Sequence, residues 1–103
     1  MTVPRIVTGR AGVRGGGPYF VLEGAWEEFV LAALRCSCNG CRTAVSLCDH
    51  VSLLLKGRTL AQVESLEERD LRVLFPDVPE GKGHYIPLLH SAIKSLVEEA
   101  KRS

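Results

Sequence analysis

From Arg42 to Lys56 the apolar residues fall at Ala44, Leu47, Cys48, Val51, Leu54 and Leu55, the spacing of one helix face. Gly57 follows as a C-cap candidate. A second stripe, Leu89, Ile93, Leu96, Val97 and Ala100, predicts a helix over Ile86–Lys101. Between the two, Thr59–Gln62 and Ser65–Glu68 both have capping-box form, so two short helices are expected before Phe75-Pro76. Asp77 to Gly83 carries Pro79, Gly81 and Gly83 and reads as a loop. The N-terminal part is different. Residues 2–24 read as extended chain broken by glycine, with β-branched Ile6-Val7 and a strand-like run at Tyr19–Leu22. Residues 25–41 are ambiguous: Ala25–Arg35 consists of good helix formers, yet Phe29–Leu34 is apolar on every side, as in a strand buried on both faces. The strand is preferred, with Tyr19–Glu23 and Phe29–Cys38 pairing as a hairpin around Gly24–Glu28.

Composition narrows the function classes. At 103 residues the chain has room for one core, so residues 1–103 are read as a single domain. The formal charge is +1, and no basic run or aromatic-interleaved patch offers a footprint for nucleic acid. The apolar run Phe29–Leu34 is far too short to span a bilayer, and the N-terminus lacks a signal-peptide pattern. A cytoplasmic location with reduced cysteines is expected. A carrier, scaffold or binding module is preferred to an enzyme.

The chemistry concentrates at Cys36-Ser37-Cys38-Asn39-Gly40-Cys41. A Cys-x-x-Cys turn brings two thiolates within reach of one ion. On a strand, Cys36 and Cys38 share a face. Cys41 then opens the following helix, where free backbone N–H groups favour its thiolate. Cys48 lies seven residues further, ~10 Å along the helix axis, and reads as core packing. His50 falls on the opposite helix face from Cys41 and is expected in solvent. His90 borders the C-terminal stripe, and His84 sits in the loop before it. Adjacent Cys48, Asp49 and His50 cannot face one another on a helix, which excludes a triad. Gly15-Gly16-Gly17 is expected to be a mobile loop near Cys41 and not a phosphate cradle, since no helix follows it.

Together these segments resemble the IscU/NifU N-terminal family of iron–sulfur cluster assembly scaffolds. Gly40-Cys41 through Lys56-Gly57-Arg58-Thr59-Leu60 is similar, without a gap, to the family's Gly-Cys…Val-Lys-Gly-Lys-Ser/Thr-Leu helix. Pro79…Lys82-Gly83-His84-Tyr85, with Leu88-Leu89 and Ala92-Ile93, resembles its Pro-Pro-Val-Lys-x-His-Cys ending, and Thr8-Gly9…Gly12 its Thr-Gly-x-x-Gly strand. The resemblance implies an α+β, IscU/SufE-like fold: a three-stranded antiparallel sheet over residues 5–38, followed by helices packed on it. It also implies a site at one end of the sheet, built in the family from three cysteines, an aspartate and a histidine. Here Gly16-Gly17-Pro18 replaces the family's Cys-Gly-Asp, and Tyr85 replaces the cysteine after His84, so Cys41 and His84 remain. These two residues are expected to approach one another and to hold iron, a nascent iron–sulfur cluster or, alternatively, zinc. Cys38 and Cys36 are additional candidate ligands, and a second chain in a homodimer could supply another. A cysteine desulfurase and apo-protein clients are the implied partners. Two rival readings are a sulfur acceptor with no cluster of its own, and an interaction protein that keeps only the fold.

Overall fold

The computed structural model describes residues 4–12, 17–39, 42–76, 78 and 84–102. Strands β1 (Arg5–Gly12), β2 (Tyr19–Glu27) and β3 (Val30–Cys38) form an antiparallel sheet in the order β1-β2-β3. Helices α1 (Arg42–Leu55), α2 (Leu60–Glu64), α3 (Glu68–Leu74) and α4 (Tyr85–Arg102) follow. The fold is therefore α+β, with the sheet first and the helices packed against it. Both long helices lie where the apolar stripes predict them. None of the helices described is long and apolar enough to cross a membrane.

The helices cover one face of the sheet. Phe20, Leu22, Gly24 and Trp26 of β2 alternate inward and are buried, while Tyr19, Glu23 and Glu27 face outward. β3 departs from the expected strand buried on both faces. Only Leu31 is fully buried there, because among the described residues no layer covers the sheet's other side. The core is closed by Ala44, Leu47, Cys48, Val51 and Leu55 from α1 and by Tyr85, Ile86, Leu89, Ala92, Ile93, Leu96, Val97 and Ala100 from α4.

The hairpin turn is tighter than the pattern predicts. β2 runs through Gly24 to Glu27, and Glu28 and Phe29 alone make the turn, with Glu28 at φ 57°. Gly24 serves packing instead of turning. A Cβ there would lie 2.9 Å from Leu31 Cδ1 and 3.2 Å from Trp26 Nε1. The register shift opposite Ala25 and Trp26 leaves Ala32 as an extra residue in β3, and this turns Leu31 inward beside the indole.

After α1, Gly57 takes φ +87° and the chain returns along β3. Leu31 N–H donates to Arg58 O at 2.9 Å, Gly57 N–H to Leu31 O at 2.7 Å, and Leu60 N–H to Phe29 O at 2.7 Å. These bonds satisfy the start of the outer edge of β3. Thr59 then caps α2, its Oγ1 accepting from Gln62 N–H and its N–H donating to Gln62 Oε1. The second expected box does not form. Ser65 ends α2, its hydroxyl donating to Gln62 O, and α3 starts from Glu67, whose N–H donates to Asp70 Oδ2. Leu66 is drawn back toward the core and sets this later start. Thr59→Ala is expected to cost about 1 kcal/mol, seen as a lower urea midpoint with unchanged slope.

Candidate functional site

One end of the sheet gathers the segments that the sequence singles out. The antiparallel ladder pairs Gly12 with Tyr19 and Phe20 with Cys38, so β1 ends, β2 begins and β3 ends at the same rim. α1 opens there at Arg42, four residues after Cys38. α4 reaches the same rim through its first residue. The Tyr85 ring meets Phe20 edge-on with centroids 6.1 Å apart, and His84 stacks on Tyr85 at 4.6 Å. Tyr85 is 4 % exposed, so its body is committed to packing, whereas His84 is exposed.

Cys38 and His84 are thus both tied to Phe20, one by strand register and the other through Tyr85. Cys41, Gly15 and Gly16 lie outside the described residues, as does most of the loop 77–83. The expected approach of Cys41 to His84 and the expected glycine loop fall on those positions. Gly17 and Pro18 are half-buried as they lead into β2.

Cys36 and Cys38 share the helix-facing side of β3 and are half-buried against the core. Cys48 faces them from α1 and is 5 % exposed. It is core, as its helical position predicts, but it is also the third member of a thiol group. The neighbouring Cys36 thiol pushes the ionisation of Cys48 well above the ordinary thiol range. Burial and negative charge on Cys36 push the same way. Cys38 alone acts oppositely, while the negative charge of Asp49 adds a smaller push in the same upward direction. Cys48 therefore stays protonated. Judging Cys48 only by its distance along the helix from Cys41 misses this grouping. The usable signal was its place on the same inward helix face as Leu47 and Val51, opposite the inward positions of β3. Among the described residues, no group of three or more His, Cys, Asp or Glu is arranged to hold a metal ion.

No protein-family model matches the chain, and no curated protein matches it in sequence.

The remaining histidines have structural partners. His90 Nε2 lies 3.1 Å from Leu66 O, joining α4 to the α2–α3 connection. His50 is exposed, as expected, and its Nδ1 lies 2.7 Å from Ser46 O. A carbonyl only accepts, so Nδ1 is the donor in this contact. The ring borders a cleft of about 280 Å³ with Ser46, Leu74, Phe75 and Pro76. Phe75 meets the imidazole edge-on at 6.0 Å.

Proposed function

We propose that the chain is a cytoplasmic, IscU-like carrier in iron–sulfur cluster assembly. In this reading it is not an enzyme, and its cargo is iron, zinc or a nascent cluster held through Cys41 and His84. The observation that carries this reading is the convergence at one rim of the end of β3, the first turn of α1 and the exposed His84. The donor chemistry fits the cargo. A thiolate at a helix start is favoured by the free N–H groups around it, and a neutral imidazole adds a second ligand of intermediate softness. Cys38 is the nearest described thiol on the same chain segment and would complete a sulfur-rich set. The remaining position is left to a sulfur-donating desulfurase, a client or a second copy.

Tyr85 favours a second reading. It stands where the resemblance calls for a third cysteine, and it is packed on Phe20 with no thiol to offer. A site so reduced can still accept sulfur. Cys41 would then take a persulfide from a cysteine desulfurase and pass it on, which needs one reactive thiol.

The test is anaerobic reconstitution with ferrous iron and sulfide, read by visible absorption and metal content, on wild type, Cys41→Ser and His84→Ala. Under the first reading wild type loads, Cys41→Ser loses at least about ten-fold of the metal, in the range seen when a ligand shell is broken, and His84→Ala is intermediate. Equal loading in wild type and Cys41→Ser would overturn it. A mass gain of one sulfur on Cys41 after exposure to a desulfurase and cysteine, without metal loading, would establish the second.

A further inference from the structure

Arg42, Ser46 and His50 recur every four residues on α1 and form one stripe along about 12 Å of its axis. The end of α3 and the residues after it, Leu74, Phe75, Pro76 and Val78, line the same cleft of about 280 Å³. The two sets of lining residues differ in kind. α1 offers a guanidinium, the hydroxyls of Thr43 and Ser46 and an imidazole. The residues from α3 onward are apolar throughout, and Leu74 is 45 % exposed, which leaves area for a ligand body to cover. An apolar cleft with a few convergent polar groups is the ordinary form of a small-molecule site. We propose that this cleft binds a small monocarboxylate with an apolar body, its carboxylate held by Arg42 and its body against Leu74, Phe75 and Val78.

Charge selects the class of ligand. Among the described lining residues Arg42 alone carries a fixed charge, and none is a carboxylate. No ion pair among the described residues engages its guanidinium, whereas Arg69, Arg72 and Arg102 are each held by a glutamate. A guanidinium presents parallel N–H donors that match the two oxygens of a carboxylate. The Ser46 hydroxyl, next along the stripe, is a further donor on the same side. A phosphate dianion would keep uncompensated charge there, since no second fixed cation is among the described lining residues. Size sets the body. The cleft has the volume of about nine waters at ~30 Å³ each, which suits an acid of one ring and about ten non-hydrogen atoms. The cleft uses neither Cys41 nor His84, so the proposal stands apart from the carrier reading.

The experiment titrates the isotope-labelled full chain with phenylacetate and follows its amide resonances. Saturable shifts are expected at Thr43, Ser46, His50, Leu74 and Phe75, with a dissociation constant on the order of 1 mM. Acetate keeps the charge and lacks the body, and phenylacetamide keeps the body and lacks the charge. Each is expected to bind at least about ten-fold more weakly than phenylacetate. Arg42→Gln is expected to weaken phenylacetate by the same factor and to leave the weak binding of phenylacetamide unchanged. Arg42 is exposed, so this variant is expected to fold as wild type does. Phenyl phosphate is expected to gain nothing over phenylacetate. Shifts that fail to saturate, or that fall away from the cleft, would overturn the proposal. Equal affinity for the acid and its amide, undiminished binding in Arg42→Gln, or tighter binding of phenyl phosphate would do the same. The comparison of acid with amide on wild type decides the charge argument without any variant.

Discussion

Adding one methyl group at Gly9 is expected to remove about 3 kcal/mol of folding free energy. A Cβ at this position would lie 2.3 Å from Leu96 N, 2.6 Å from Ala92 O and 2.6 Å from Leu96 Cα. All three are backbone atoms of α4, and no rotamer change can move them. The strand and the helix touch here main chain to main chain, with the small Ala92 on the helix side. Gly9→Ala must therefore push β1 away from α4. Val7 on β1 and Leu96 and Val97 on α4, all buried, would be uncovered by the displacement. Urea denaturation should show a midpoint lower by about 1–3 M. An unchanged midpoint would mean that β1 does not lie against α4 as described.

Trp26→Ala is expected to cost about 3–5 kcal/mol, a large share of the stability of a domain this size. The indole is 1 % exposed and is the largest of the fully buried side chains. It fills the space between the turn end of the sheet, Leu31 and the bare Cα of Gly24. Its Nε1 is also the one buried side-chain nitrogen or oxygen among the described residues with no hydrogen-bond partner. Burying such a donor opposes folding by about 1–3 kcal/mol. Trp26→Phe deletes that donor along with one ring, so its loss should fall well below that of Trp26→Ala. The chain has a single tryptophan, so both variants must be followed by circular dichroism instead of fluorescence. Equal losses for the two variants would show that a phenyl ring recovers none of the packing the indole provides.

The two glycines explain where reading the chain works and where it stops. α1 and α4 were legible because a helix buries one stripe, and the spacing of Leu47, Val51 and Leu55 or of Leu89, Ile93 and Leu96 records it directly. Ala25–Arg35 was ambiguous because its residues favour a helix locally, and only pairing with β1 and β2 overrides that preference. Gly24 reads as a turn residue in any local window. Its actual reason, room for Trp26 and Leu31, exists only once the layers meet. Ser65 likewise has the right partner spacing for a cap, but the pull of Leu66 toward the core shifts the helix start to Glu67. At the candidate site, the shared face of Cys36 and Cys38 follows from strand alternation. The joining of Cys48 to them does not, since it depends on how α1 lies across β3. The stacking of His84 on Tyr85, and through it the link to Phe20, depends in the same way on where α4 begins.

The contact between β1 and α4 also bears on how the protein is made. Gly9 rests on Leu96, and the Arg10 N–H donates to Ser95 Oγ, 85 positions later in the chain. Arg5 reaches further still, to Ala100 O. During synthesis β1 emerges first and its helix partner emerges last of the described elements. At about 5–20 residues per second, the inward face of the sheet waits several seconds for its cover. The hairpin of β2 and β3 can form early, and α1 can dock on β3 as soon as it appears. Along β1, however, the sheet must hold an open apolar face until the ribosome has delivered α4. A nascent chain of this design has its greatest need of a chaperone just before translation of α4 is complete.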